Sequence, residues 1–61
     1  MSDFEEELDV LLNGGSLAEL VAALGRVCAS RGQRDSMSAD LWNTATRRLI
    51  ILSELFGRMG L

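Results

Sequence analysis

Between Leu41 and Leu61 the chain reads LWNTATRRLIILSELFGRMGL, and Trp42, Ala45, Leu49, Leu52, Phe56 and Met59 recur in steps of three and four. That spacing puts all six on one narrow stripe of an α-helix, with the 3.5-residue average period of helices that pack side by side. Leu41 and Leu55 widen the stripe, while Asn43, Arg47, Glu54 and Arg58 gather on the opposite side. A helix over residues 39–59 is about 30 Å long at 1.5 Å per residue. A rod of that length with one apolar face does not persist alone in water, so at least one more helix must lie beside it.

The preceding segment supplies that helix. Ser16-Leu17-Ala18-Glu19 has the Ser-x-x-Glu pattern in which hydroxyl and carboxylate cap one another's amides, and it opens a helix predicted over residues 17–30. Leu17, Val21, Leu24 and Cys28 form one stripe, and Ala18, Ala22, Gly25 and Ala29 form a neighbouring stripe of small residues. Leu20 and Val27 lie on a further side, leaving only a narrow polar strip at Glu19, Arg26 and Ser30. An apolar arc of roughly 200° exceeds what a single partner helix covers. Gly25 costs about 1 kcal/mol relative to Ala within a helix, a penalty that close approach of a second backbone offsets. Residues 31–38 are polar, with Gly32 as the expected helix stop and Ser36 or Ser38 as the next cap. Two helices joined by one such loop make an antiparallel hairpin.

Upstream, Ser2-Asp3-Phe4-Glu5 repeats the capping pattern and opens a short helix over residues 3–12, with Phe4, Leu8, Leu11 and Leu12 as its apolar face. Asn13-Gly14-Gly15 is the expected stop, through a glycine in the left-handed conformation. The predicted fold is therefore all-α: a helical hairpin with a short N-terminal helix folded back across it, forming one domain over residues 1–61.

A chain of 61 residues buries only about 60 % of its unfolded surface, and domains so small lean on disulfides, metals or association. One Cys and no His exclude an internal disulfide and a thiol–imidazole metal cage, so no metal or cofactor is expected. Association is the remedy left, and a symmetric homodimer is the commonest closed form. The residues expected at an oligomer or partner interface are Leu17, Leu20, Val21, Leu24, Val27, Trp42, Leu49, Leu52, Phe56 and Met59. Cys28, among Val21, Leu24 and Val27, reads as a small buried hydrophobe.

Charge is unevenly spread within a net −3. Residues 1–13 hold Asp3, Glu5, Glu6, Glu7 and Asp9 with no base, whereas the remainder sets six Arg against Glu19, Asp35, Asp40 and Glu54. The early acids read as solvated carboxylates that suit a helix N-terminus. Arg48 is out of place among Leu41, Leu52 and Leu55: either its stem lies on the core with the guanidinium at the rim, or, the reading preferred, it pairs with an acid of the first helix or of another chain.

Catalysis has little to work with: His, Lys and Tyr are absent and no glycine-rich phosphate loop is present, so an enzyme is not expected. The longest apolar run in the C-terminal helix, residues 49–52, is far too short for a membrane span, and the acidic beginning is unlike a secretory signal. A cytoplasmic protein is expected, and the all-Arg basic set points to a GC-rich bacterial or phage source. Read as a helix-turn-helix, the hairpin has too long a connection and an acid, Asp40, where base-reading groups belong, so nucleic acid is not the partner expected.

Residues 1–15, an acidic amphipathic stretch with Leu12 upstream of Gly14-Gly15, resemble the double-glycine leader of secreted bacterial peptides. The resemblance implies cleavage after Gly15 and release of a helical peptide carrying net +2 charge. Leu8-Asp9 departs from the acid-then-apolar order of that family. The function expected first is a self-associating adaptor or regulator working through protein–protein contacts. A leader-bearing precursor stands second and a nucleic-acid-binding regulator third.

Overall fold

In the computed structural model, which describes residues 2–61, three α-helices follow one another: α1 (Asp3–Gly14), α2 (Leu17–Arg34) and α3 (Ala39–Arg58). One 3-10 turn, Ser36–Ser38, precedes α3, and no strand occurs among the described residues. Met1, the first residue of both the 1–61 domain and the 1–15 leader readings, lies outside them.

Of the two reciprocal caps read from Ser-x-x-Glu, one is complete and the other half-formed. Ser16 accepts from the Glu19 amide at 3.0 Å while Glu19 accepts from the Ser16 amide at 3.4 Å, closing both arms. At α1 the hydroxyl arm is formed, with Ser2 accepting from the Glu5 amide at 3.2 Å.

α2 and α3 run antiparallel along their whole length. A β-carbon placed on Gly32 would meet the Trp42 Cβ at 3.2 Å, one on Gly25 the Leu49 Cβ at 3.5 Å, and one on Gly57 the Ala18 Cβ at 4.0 Å. The contact is thus made through the small residues of α2, and the chain's buried residues among those described are Gly25, Cys28 and Gly32. Cys28 is 7 % exposed, packed as the small hydrophobe its neighbours predict.

Four expectations are corrected. Gly32 does not stop α2, which continues to Arg34 and shortens the connection to Asp35 and the 3-10 turn. Its missing side chain instead lets the α3 backbone approach, an ångström-scale fit that outweighs its poor helix propensity. α1 runs through Gly14, and Gly15 caps it in an extended rather than left-handed conformation (φ −154°). Ser38 stands at the N-cap of α3 but its side chain makes no cap hydrogen bond; the Asp35 carboxylate caps the preceding 3-10 turn, accepting from the Ser38 amide at 3.3 Å. Finally, α1 does not fold back across the hairpin: it touches the beginning of α2 and has no contact with α3.

The open end of the hairpin is tied differently. α3 terminates in a Schellman turn, with Gly60 at φ 82°, the Leu61 amide donating to the Phe56 carbonyl at 2.9 Å and the Gly60 amide to that of Gly57 at 3.2 Å. This turn aims the Leu61 carbonyl at the start of α2, where it accepts from the amides of Leu17 (2.6 Å) and Ala18 (3.4 Å). Two of the donors that a helix N-terminus leaves unmatched are thereby satisfied. With α1 standing out, the molecule measures 35 × 29 × 15 Å and its radius of gyration is 12.8 Å. A compact chain of this length would have a radius near 10.5 Å, about a fifth smaller.

Candidate interaction face

The side of α3 turned to α2 is not the stripe that periodicity singles out. Ala39, Thr46 and Gly57 meet α2, with Trp42 and Leu49 at one margin of the contact and Asn43 and Ile50 at the other. At 100° per residue this face lies about a quarter turn from the Trp42–Met59 stripe. The stripe therefore sits on one side of the hairpin. Trp42, Leu49 and Phe56 lean into the groove between the helices and are half-buried, while Leu52 and Met59 remain exposed.

α2 contributes to the same side. Measured from its buried line, Gly25–Cys28–Gly32, the row Leu17, Leu20, Leu24, Val27 and Arg31 is rotated in the same sense as the α3 stripe. Because the helices are antiparallel, like rotations bring both rows to one face of the hairpin. Leu17, Leu20 and Val21 are half-buried there, whereas Leu24 is 51 % and Val27 55 % exposed. On α3 the outer row is Leu41, Ala45, Arg48, Leu52, Leu55 and Met59, in steps of four and three, with Leu41 75 % exposed. All ten residues expected at an interface thus fall on or beside one apolar face, set deep or shallow according to their distance from the groove.

The indole of Trp42 at one end of this face is held by its Nε1, which donates to the Asp35 carboxylate at 3.4 Å. The other Asp35 oxygen caps the 3-10 turn, so one side chain anchors both the corner and the aromatic ring. A shallow hollow lined by Asp35, Ser38, Leu41, Trp42 and Ala45 opens beside it.

Charge separates the two sides of the hairpin. Arg31 lies within the apolar face, with Arg34 and Arg48 at its borders, and no acid joins them along the helices. Glu19, Asp40 and Glu54 all project from the opposite side, together with Arg26, Arg47 and Arg58. Arg48 is exposed and α1 does not reach α3, so an acid of the same chain's α1 is not brought to it.

The exposed area measures what this arrangement leaves uncovered. The chain presents 4862 Å² to solvent, against about 3900 Å² for a compact protein of its mass. The surplus is of the order of one partner's share of a standard protein–protein interface, about 800 Å².

Other chemistries find less. Among the described residues no group of three or more Cys, Asp or Glu is placed to hold a metal ion, and no helix is long and apolar enough to cross a membrane. The connection between α2 and α3 is shorter than the polar stretch 31–38 predicts, yet side-by-side antiparallel packing differs from the steep crossing of a helix-turn-helix. No protein-family model matches the chain, and neither does any curated protein or solved structure.

Proposed function

We propose that this chain is a non-enzymatic, self-associating helical protein, a cytoplasmic adaptor or regulator that works through protein–protein contacts, with a homodimer as its basic unit. The observation that carries the reading is the continuous apolar face along both helices of the hairpin, exposed at Leu24, Val27, Leu41, Leu52 and Met59. Exposed apolar patches of this extent mark interaction sites rather than ordinary surface. Covering this face with helix from a second copy supplies the second layer that a single layer of helices lacks. Light scattering across a concentration series tests it: a dimer at micromolar concentrations is expected, and a monomer throughout the series refutes it. Recovery of one stoichiometric protein partner with the dimer is the result expected of an adaptor.

A second reading has its own support. Gly14 and Gly15 are exposed, and α1 touches little besides the beginning of α2, so a peptidase could reach this elbow and remove α1 without dismantling the hairpin. On that reading residues 1–15 are a leader. Intact mass from the native host decides it, since a processed chain begins at Ser16.

A further inference from the structure

We propose that the apolar face of the hairpin is covered, in the dimer, by α1 of the second copy, so that two chains exchange acidic arms. This rests on the self-association proposed above and specifies what fills the interface. Phe4, Leu8 and Leu11 follow one another in steps of four and three, and this stripe leaves Phe4 and Leu11 exposed and Leu8 half-buried. Glu7 borders the stripe on one side and Glu5 on the other. The opposing face has the reciprocal composition: an apolar centre with Arg31, Arg34 and Arg48, against one acid, Asp35, whose carboxylate is engaged by the Trp42 indole and the Ser38 amide at the corner. α1 carries five acids and no base, so its negative borders meet the side of the hairpin where arginine outnumbers acid.

Dimensions agree with this occupant. α1, twelve residues long, spans about 18 Å and fits within the length of α2, about 27 Å. In its own chain α1 stands away from α3, which leaves its apolar stripe and the hairpin face unsatisfied together. Reciprocal exchange between two copies covers both, and the surplus exposed area is what one partner of a stable dimer hides. In this arrangement Arg48 finds the intersubunit acid that its place among leucines calls for, the guanidinium pairing with Glu5 or Glu7 of the second copy.

The test is charge reversal on the full chain. One variant carries Glu5→Arg with Glu7→Arg, the other Arg31→Glu with Arg48→Glu, all at exposed positions. Each alone sets like charge on like charge and is expected to self-associate at least about tenfold more weakly than the unaltered chain, with helicity retained. Mixed in equal amounts they restore a heterodimer, in which both arm–face contacts are again complementary. Variants that each self-associate as tightly as the unaltered chain overturn the exchange and leave face-to-face pairing of the hairpins standing. Weakened variants that do not rescue one another also overturn it, since an arm closing on its own hairpin gains nothing from mixing. An unaltered chain that stays monomeric removes both this proposal and the self-association beneath it. Salt provides a readout free of substitution: the dimer is expected to loosen about tenfold between about 50 mM and about 500 mM salt, and indifference to salt counts against the arms.

Discussion

Gly25 and Gly32 are one heptad apart on α2 and face the same neighbour, yet they differ in what they leave room for. A methyl on Gly25 would meet Leu49, Ile50 and the Thr46 carbonyl at 3.5–3.7 Å, ordinary packing distances. On Gly32 it would press on the Asn43 Oδ1 at 3.1 Å and the Trp42 Cβ at 3.2 Å, and the second cannot yield without moving α3. Gly25→Ala is therefore expected to stabilise the chain by up to about 1 kcal/mol through helix propensity. Gly32→Ala should gain nothing or lose stability; urea denaturation of the pair separates the cases. Gly60 has open space where a β-carbon would go and only its φ of 82° to protect. Gly60→Ala is expected to cost about 1 kcal/mol, read as a fall in Tm of roughly 4–8 °C. The close approach at Gly25 was legible from the stripe of small residues, although the buried line also takes in Cys28 from the neighbouring stripe. That at Gly32 was not, because a glycine at the opening of a polar run has the same local signature as a helix stop, and only contact with α3 distinguishes them.

Helix identity followed from capping residues and periodicity, which are local properties written in neighbouring letters. All three helices occur where Ser-x-x-Glu and the apolar steps place them, and α2 and α3 form the expected hairpin. What periodicity could not supply was rotation. α3 has two usable faces, one large and apolar, one lined by Ala39, Thr46 and Gly57. The small stripe of α2 selects the second, because two backbones approach most closely where neither side intrudes. The bulky stripe is thereby released to one side of the hairpin. The position of α1 was equally illegible, since its tertiary contacts are few. The corner held by Asp35 is open to a direct check, as Trp42 is the sole tryptophan. Asp35→Ala removes the cap of the 3-10 turn and the indole partner together. The expected outcome is a shifted fluorescence maximum with far-ultraviolet helicity nearly unchanged; an unmoved spectrum would mean that the indole does not depend on the carboxylate.

Folding alone leaves this chain with three buried residues among those described, two of them glycines. Stability that depends on association must vary with protein concentration, so the melting temperature is expected to rise over about a hundredfold increase. Invariance across that range argues for a self-sufficient monomer. The excess of apolar surface was legible in the breadth of the α2 arc. Leu52, on the α3 stripe, is 37 % exposed in the single chain. Leu52→Asp should consequently leave the hairpin helical while abolishing the dimer, seen as an unchanged circular dichroism spectrum and a halved solution mass. Loss of helicity at every concentration would instead place Leu52 in the hairpin's own packing.

A body 15 Å deep is scarcely thicker than one helix with its side chains, about 10–12 Å. Such a slab has a rim and two sides but no interior, and this inverts the usual map of sensitivity to substitution. In a saturation survey scored for folding of the dilute single chain, leucines should be forgiving, while the sharpest losses cluster at residues with nothing beyond a hydrogen or a methyl to offer.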